Sequence, residues 1–387
     1  MTRIMVLSVS GLMMILLAGC GQRSGLSAVR EGTVAFREGK YEKAAIAFER
    51  AATRISGSAN LYYNLGVTHL RLGNMDKAQT ALKTACELDP EQASAQVCLA
   101  QIAYYRNDLP EASAYLNKAL LKMKDKDERA RALTTLGFIE VARQRYDYAR
   151  LSFLEAIRLN KDYAPARYNL ATLYRDTYGL KEEALEEFEL FKRVVDSKDP
   201  HFDKAKNSIT RLQLNLERTK ADQGASAQRR DSPTAAKLLN DAILLHQSKQ
   251  YSKALKTYRD ALLADPQTFS AAYGAGMACI KLNKSTEAID AFKTALEINP
   301  NNQDCYVQLA RLMLQVRQTA EAAKVLDRAI ARSPYNPVSY DLMARIRYAE
   351  GRFDEAWLYG CFYVSLIPAT DPSRASYERW LNSFKQK

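Results

Sequence analysis

The residue types that could form a metal centre or a catalytic group show no such pattern in this sequence. The three histidines, His69, His201 and His246, are far apart in the sequence and lack the spacing of metal ligands. The G-x-x-x-x-G-K-[ST], G-x-S-x-G and H-E-x-x-H patterns do not occur, and nothing sets a pair of carboxylates apart for acid/base work. The sequence therefore predicts no catalytic residue, no metal and no cofactor, and it favours a function performed by surfaces.

Four evenly spaced prolines indicate the elements that build those surfaces. Pro266, Pro300, Pro334 and Pro368 each follow the previous one by 34 residues. A unit of this length cannot bury its own apolar face, so similar units must stack on one another. The spacing predicts a chain of stacked helical repeats with an extended groove.

The rest of the repeat pattern is most complete between residues 59 and 92. This segment carries Gly66, Ala78, Leu82, Ala85 and Pro90, small and large residues at the spacing by which paired helices pack closely. With this pattern the chain resembles the tetratricopeptide-repeat family. The resemblance implies an all-α fold, a right-handed α-solenoid of helix-turn-helix repeats, and a habit of binding other proteins.

The same frame recurs along nearly the whole chain after residue 24. We predict nine repeats, five in a block at 25–221 and four in a block at 235–387. Two insertions are expected to fall at turns, three residues at Asp127 to Arg129 and one residue around Tyr178 and Gly179. The repeats start near residues 25, 59, 93, 130, 164, 235, 269, 303 and 337.

Residues 222–234 contain no large apolar side chain and are interpreted as a linker between the two blocks. Just before it, an apolar stripe from Phe202 to Leu216 predicts a helix that caps the first block. A second capping helix is predicted at the C-terminus. We interpret its Trp380 as an anchor in the core, and a contact to a ligand is the alternative.

The first twenty residues predict where the protein works. A positive head at Arg3 and an apolar run from Ile4 to Leu17 have the pattern of a signal peptide, assigned here to residues 1–19. The run is shorter than the roughly 20 residues that span a bilayer. Residues Leu17 to Cys20, Leu-Ala-Gly-Cys, resemble a bacterial lipobox, which implies lipidation at Cys20.

The resemblance to bacterial lipoproteins also implies a location. Residues 20–24 form a short tether, so the repeats are expected to act close to the membrane surface. Gly21 follows the lipidated cysteine, and by the sorting rule of enterobacteria this favours the periplasmic face of the outer membrane. The expected partners are the membrane, through the lipid anchor, and proteins or peptide segments of the cell envelope.

Charge and cysteine content fit these predictions. Lys and Arg number 56 against 44 Asp and Glu, a net charge of +12, but the basic residues interleave with acids instead of forming a patch, so nucleic acid is not an expected partner. The five cysteines beyond Cys20 are expected to pack as small apolar residues. A disulfide between Cys86 and Cys98 is the alternative.

The candidate binding surface is the groove that the family forms from the first helix of each repeat. Apolar and aromatic side chains dominate the predicted wall of the first block, which suits an extended or helical peptide with hydrophobic anchors. Mutual packing of these side chains in a tightly closed superhelix is the alternative. The predicted residues of the first block are Tyr63, Val67, Leu70, Val97, Gln101, Tyr104, Tyr105, Phe138, Tyr168 and Arg175.

The second block has a more polar wall at the same positions. Arg311 and Arg345 lie one repeat apart, and they either receive acidic residues of a partner or pair with the nearby Asp304 and Asp341. The predicted residues of this wall are Tyr273, Met277, Arg311, Arg345 and Tyr348.

Two functions are compatible with this pattern. The first is a non-catalytic, lipid-anchored scaffold that assembles or positions an envelope complex, such as a pilus secretin, the outer-membrane protein assembly machinery or the cell-wall machinery. The second is a regulatory subunit that modulates a peptidoglycan synthase or hydrolase.

Overall fold

The computed structural model describes residues 24–55, 57–223 and 233–383, and the regular elements in these ranges are all helices. The chain divides into two compact units, Met1–Asn169 and Leu170–Lys387. The predicted signal peptide, Cys20 and most of the predicted linker lie outside the described residues. None of the described helices combines the length and the apolar character needed to cross a membrane.

The first unit is a series of antiparallel helix pairs. Between Tyr41 and Leu159 each helix packs on the next one along the chain, as the prediction of stacked repeats requires. The helices are α1 (24–37), α2 (Tyr41–Ala52), α3 (Ala59–Arg71), α4 (Met75–Leu88), α5 (Ala93–Tyr105), α6 (Leu109–Lys122), α7 (Lys126–Ala142) and α8 (Tyr146–Leu159). The next helix, α9 (Ala164–Leu173), contains the division between the units.

The second unit continues with the same arrangement. Its helices are α10 (Lys181–Val194), α11 (Phe202–Gln223), α12 (Pro233–Gln247), α13 (Tyr251–Ala264), α14 (Phe269–Lys281), α15 (Ser285–Ile298), α16 (Gln303–Gln315), α17 (Thr319–Arg332), α18 (Pro337–Ala349), α19 (Phe353–Leu366) and α20 (Arg374–Asn382). The described residues thus hold nine helix pairs, with α11 and α20 as additional single helices. The predicted α-solenoid fold is confirmed.

Close packing within each pair depends on the small residues of the repeat. At Gly66 an added Cβ would lie 2.6 Å from Cγ of Leu82, so α3 and α4 approach each other only because this side chain is absent. The turn between the two helices passes through a left-handed residue, Gly73, with φ of 76°. Asn107, which departs from the glycine of the pattern, takes the same conformation with φ of 61°.

The three-residue insertion before the fourth repeat does not lie at a turn, so that prediction is wrong. Asp127 to Arg129 belong to the first turns of α7, which starts at Lys126 and is capped by the Asp125 side chain. Three residues add almost one helical turn, and a helix with a cap and acidic residues at its start absorbs them at its N-terminus.

The single extra residue of the fifth repeat is also accommodated differently from the prediction. Residues Tyr174–Tyr178 form a π-helical turn at the end of α9. A π-helical turn holds one more residue than an α-helical turn, so the helix itself widens. Gly179, with φ of 66°, then ends it in the left-handed conformation.

The apolar stripe before the linker forms α11, which packs on α10. Its buried residues are Ala205, Ile209 and Leu212, which recur on one face as the stripe predicts. The division at Asn169 and Leu170 lies earlier than the predicted linker. The boundaries of the two predicted repeat blocks, 25–221 and 235–387, stay a prediction.

One ion-pair cluster joins segments that lie on opposite sides of the predicted linker. Arg332, in the last turn of α17, donates from Nε to Glu183 Oε1 at 3.0 Å and from Nη2 to Glu182 Oε2 at 3.4 Å. The Glu183 side chain is 2% exposed and that of Arg332 is 14% exposed. This contact holds α10 against the last turn of α17 within the second unit, and we name it the α10–α17 clasp.

We expect Arg332→Ala to lower the free energy of unfolding of the second unit by about 1–3 kcal/mol, because it leaves the Glu183 carboxylate buried without its partner. Equilibrium denaturation measures the change. Exchanging the charges, with Glu183→Arg and Arg332→Glu together, should restore part of the loss. Arg311→Ala, an exposed arginine on the neighbouring helix, is the control and should change stability little. A loss that is equal in both alanine variants contradicts a role for the clasp.

Candidate protein-interaction surface

Helices α3 and α5 build an open recess in the first unit. Its volume is about 460 Å³. Val67 and Leu70 from α3 and Met75 from the start of α4 supply apolar surface, and Gln101 and Tyr105 come from α5. The full lining is Tyr63, Val67, Leu70, Arg71, Met75, Cys98, Gln101 and Tyr105. Neighbouring first helices present these side chains together because residues three and four apart share one helix face. We call this feature the α3–α5 recess.

The Cys98 thiol and the Tyr63 phenol of the recess are held neutral. Burial raises the pKa of the Cys98 thiol to about 11. Burial also raises the pKa of the Tyr63 phenol, and the adjacent Cys98 adds to this effect. The Gln101 amide donates to the Tyr105 hydroxyl at 3.4 Å. At neutral pH the thiol and the phenol therefore carry no charge, and the surface offers apolar area with a few hydrogen-bonding groups.

Aromatic side chains extend this surface beyond the recess. The ring of Tyr104 lies 6.2 Å from that of Tyr105 and 6.0 Å from that of Phe138 on α7, measured between centroids. Tyr105 is 62% exposed and Phe138 is 49% exposed. Val97 and Tyr168 are half-buried. Two of the predicted aromatic side chains are thus largely accessible, as a binding surface requires.

Three residues of the recess were missed by sequence reasoning. Arg71 stands at the thirteenth position of its helix, one of the positions from which the groove was predicted, so its signal was present. Cys98 was interpreted as a packing residue because small apolar types at such positions are usually buried. Met75 follows the turn after α3, and only the folded pair brings it beside Leu70.

Tyr273 and Met277 lie on α14 in the second unit, where Tyr273 is tied to its neighbours. Its hydroxyl donates to the Asp304 carboxylate, and its ring contacts Phe269 and Phe292 at centroid distances of 5.8 and 5.6 Å. Burial, followed by the bond to Asp304, raises the pKa of Tyr273. Met277 is half-buried. These contacts make Tyr273 a link between adjacent repeats.

The two arginines of the second wall have different environments. Arg345 donates to Asp341 at 2.8 Å, and its guanidinium lies 5.8 Å from the ring centroid of Trp380. Arg311 is exposed, and it makes no hydrogen bond or ion pair with another described residue. The sequence left both possibilities open. Arg345 pairs with Asp341, and binding of a partner's acidic residues by Arg311 stays a prediction.

Helix α20 lies over part of the second wall. The Trp380 ring is 5.6 Å from that of Tyr348, and Tyr377 and Leu381 are buried against Ala356 of α19. This packing agrees with the interpretation of Trp380 as an anchor. Arg345 and Tyr348 therefore contact the C-terminal helix of the chain itself.

Arg175, predicted for the first wall, is held by local contacts. It forms a bidentate ion pair with Asp176, in which Nε and Nη2 donate to the two carboxylate oxygens at 2.6 and 2.7 Å. Its Nη1 donates to the Ser208 hydroxyl of α11 at 2.7 Å. Its guanidinium also lies 5.5 Å from the ring centroid of Phe188 on α10. The side chain thus connects the π-helical turn to the two helices that follow.

The remaining histidine and cysteine predictions concern packing. His69 is 4% exposed, with Nε2 at 3.5 Å from a carboxylate oxygen of Glu49, and burial lowers its pKa. Cys86 and Cys98 carry free thiols. Across the described parts of the chain, no group of three or more His, Cys, Asp or Glu side chains is placed to hold a metal ion.

Comparison with known families gives matches to models of the tetratricopeptide repeat. The matched segments are residues 59–92, 239–303 and 279–346. The first begins at the repeat that the sequence pattern fits best, and the other two cover most of the second predicted block.

Similar curated proteins share the repeat over long alignments. Tetratricopeptide repeat protein 21B of Xenopus laevis is 23% identical over 332 residues, which cover 72% of this chain and 25% of that protein. TPR repeat-containing protein MJ1428 of Methanocaldococcus jannaschii is 20% identical over 329 residues, or 85% of this chain and 54% of that protein. The chain thus spans about a quarter and about half of the length of these relatives.

Solved structures resemble parts of the chain. MamA from Desulfovibrio magneticus RS-1 is 18% identical with a TM-score of 0.42 and covers 46% of this chain and 97% of that one. YrrB, described as a TPR protein with an unusual peptide-binding site, is 17% identical with a TM-score of 0.34 and covers 71% of this chain and 99% of that one.

Proposed function

We propose that this chain, which contains tetratricopeptide repeats, is a non-catalytic scaffold that binds other polypeptides on the face formed by the first helices of its repeats. Proteins built from this repeat generally serve as scaffolds for protein interactions. The observation that carries the proposal is the α3–α5 recess, which adjoins exposed aromatic rings at Tyr105 and Phe138. Rigid aromatic side chains on helices bury a large area on binding at a small cost in conformational entropy.

The scaffold acts, in this proposal, at the surface of a bacterial envelope membrane. The support comes from the sequence of the first twenty residues, where an apolar run ends in Leu-Ala-Gly-Cys at Cys20. A lipid on Cys20 would hold the repeats close to the membrane, and Gly21 favours the periplasmic face of the outer membrane. The partners would be proteins of an envelope complex that assembles pili or secretins, outer-membrane proteins or the cell wall.

Site-specific photo-crosslinking in cells tests the proposed binding face. A photoreactive phenylalanine analogue at Tyr105, Phe138 or Tyr273 should give crosslinked adducts, because these side chains lie on the proposed wall. Tyr105 and Phe138 should react most, since they are more exposed than Tyr273, whose hydroxyl is engaged with Asp304. Mass spectrometry of the adducts identifies the partners.

The matched control carries the same analogue at Lys83, an exposed residue of α4 outside the recess. It should give few adducts or none. Adducts from Lys83 together with none from Tyr105 and Phe138 would show that the partner binds another face. Adducts that consist of cytoplasmic proteins alone would contradict the envelope location.

A further inference from the structure

The α3–α5 recess contains one charged side chain among its lining residues. Seven of the eight lining residues are uncharged by type, and the remaining one is Arg71. Among the uncharged lining residues, Tyr63 and Cys98 have raised pKa values because they are buried. The recess therefore combines an apolar, neutral surface with a single permanent positive charge.

Arg71 is available to a partner. It is exposed at the end of α3, and within the described ranges it makes no hydrogen bond or ion pair. Two other arginines of the first unit are engaged. Arg106 donates to the Gln79 amide oxygen at 2.7 Å and to Asp76 at 2.5 Å. Arg129 donates to backbone carbonyls of Leu120 and Met123. Among the described residues none accepts a hydrogen bond from the Arg71 guanidinium, which lies beside the apolar side chains of the recess.

A carboxylate outside the recess affects one of its lining residues. Glu128 contributes to the raised pKa of Tyr63, after burial and the nearby cysteine. It does not line the recess, and no ion pair joins it to Arg71 among the described residues. Among the described residues, no carboxylate forms an ion pair with Arg71 at the C-terminal end of α3.

We propose that the α3–α5 recess binds a polypeptide segment in which a large apolar side chain stands next to an aspartate or glutamate. This inference deepens the proposed function and rests on it. The apolar side chain packs on Val67, Leu70 and Met75, in a volume within the usual range of ligand pockets. The neighbouring carboxylate accepts hydrogen bonds from the Arg71 guanidinium, whose planar fork matches a carboxylate. Gln101 and Tyr105 supply polar groups for the backbone of the segment.

An array of short synthetic peptides tests the specificity with the full chain. All pairs of amino acids are placed at two adjacent central positions between Gly and Ser flanks, and bound protein is measured at each spot. Peptides that pair Trp, Phe or Leu with Asp or Glu should bind about tenfold more tightly than those that pair the same apolar residue with Lys or Arg. This difference in affinity corresponds to one charge-assisted hydrogen bond. Peptides with Ala beside Asp or Glu should bind weakly.

Variants assign the preference to Arg71. Arg71→Glu should reverse the preference toward Lys and Arg, and Arg71→Gln should abolish it without reversal. Neither change is expected to unfold the protein, because Arg71 is exposed and unpaired among the described residues. Lys83→Glu makes the same change of net charge outside the recess and should leave the preference intact.

The outcomes separate this inference from the proposed function. The proposed specificity is wrong if binding does not depend on the charge of the residue beside the apolar one, or if no peptide of the array binds. It is also wrong if Arg71→Glu leaves the preference unchanged. If adducts still form from Tyr105 and Phe138 in cells, the scaffold function stands and the acidic, apolar partner segment alone is wrong. If those adducts are missing as well, the binding face itself is wrong.

Discussion

Replacing Phe153 by alanine is expected to lower the free energy of unfolding by about 3–5 kcal/mol. The side chain is 1% exposed and packs against Gly137, where an added Cβ would lie 2.4 Å from Cε1 of Phe153. Removing the ring leaves a cavity between α7 and α8. Because a stacked repeat is stabilised mainly by its neighbours, the loss should also weaken adjacent repeats. Equilibrium denaturation of the full chain measures it.

Phe138 supplies the matched control for this prediction. It is the same residue type on α7, directly after Gly137, but it is 49% exposed on the proposed binding surface. Phe138→Ala should change the free energy of unfolding by less than about 1 kcal/mol, since little buried area is lost. Equal losses in the two variants would show that the face we assign to binding belongs to the core.

Replacing Cys20 by alanine is expected to move nearly all of the protein from the membrane fraction to a soluble or precursor form. The proposed anchor depends on the Cys20 thiol as the attachment point of a lipid, and alanine cannot carry one. Stable anchoring needs more than one acyl chain, each buried methylene contributing about 0.8 kcal/mol. Fractionation of cells followed by immunoblotting measures the distribution.

Cys86→Ala is the control for the anchor, because Cys86 carries a free thiol on α4 in the folded part of the chain. It should leave the distribution between membrane and soluble fractions as it is in the unaltered protein. Two observations together would contradict lipidation: the Cys20→Ala variant stays in the membrane fraction, and the unaltered protein is not labelled by a fatty acid.

The two units differ in how open their predicted walls are. In the first unit the α3–α5 recess is open to solvent and Tyr105 is largely exposed. In the second unit Tyr273 is bonded to Asp304, and Trp380 of α20 contacts Arg345 and Tyr348. We therefore expect the strongest binding of partner segments in the first unit. In the second wall, Arg311 is exposed and has no ion pair among the described residues.

The sequence predicts the fold well because the repeat is a local pattern. Helices begin at the predicted positions 59, 93, 164, 269, 303 and 337. Small residues such as Gly66 and the turn glycines such as Gly73 act within one helix pair, so their spacing along the chain specifies the pair directly. The prediction of turn insertions failed at Asp127 and at Tyr178. Both a capped helix start and a π-helical turn can absorb extra residues, and the pattern does not distinguish these outcomes.

The candidate site was predicted in outline. The helix positions that gave Tyr63, Val67, Gln101 and Tyr105 from the sequence are brought together in one recess. The contribution of Cys98 and Met75 depends on how closely α3, α4 and α5 approach, which residue types do not specify. The sequence also left Arg311 and Arg345 equivalent, whereas Arg345 is paired with Asp341 and Arg311 has no ion pair among the described residues.

The sequence by itself determined the repeat, its helix pairs and the helix faces that carry the candidate site, because these follow from residue spacing within about one turn or one repeat. Tertiary structure decided which charges find partners. Arg332 pairs with Glu183 although 149 residues separate them, and the Trp380 ring of α20 lies 5.8 Å from the Arg345 guanidinium. Such contacts depend on the accumulated packing of many helices, and small differences in that packing decide whether an arginine is paired or remains open to a partner.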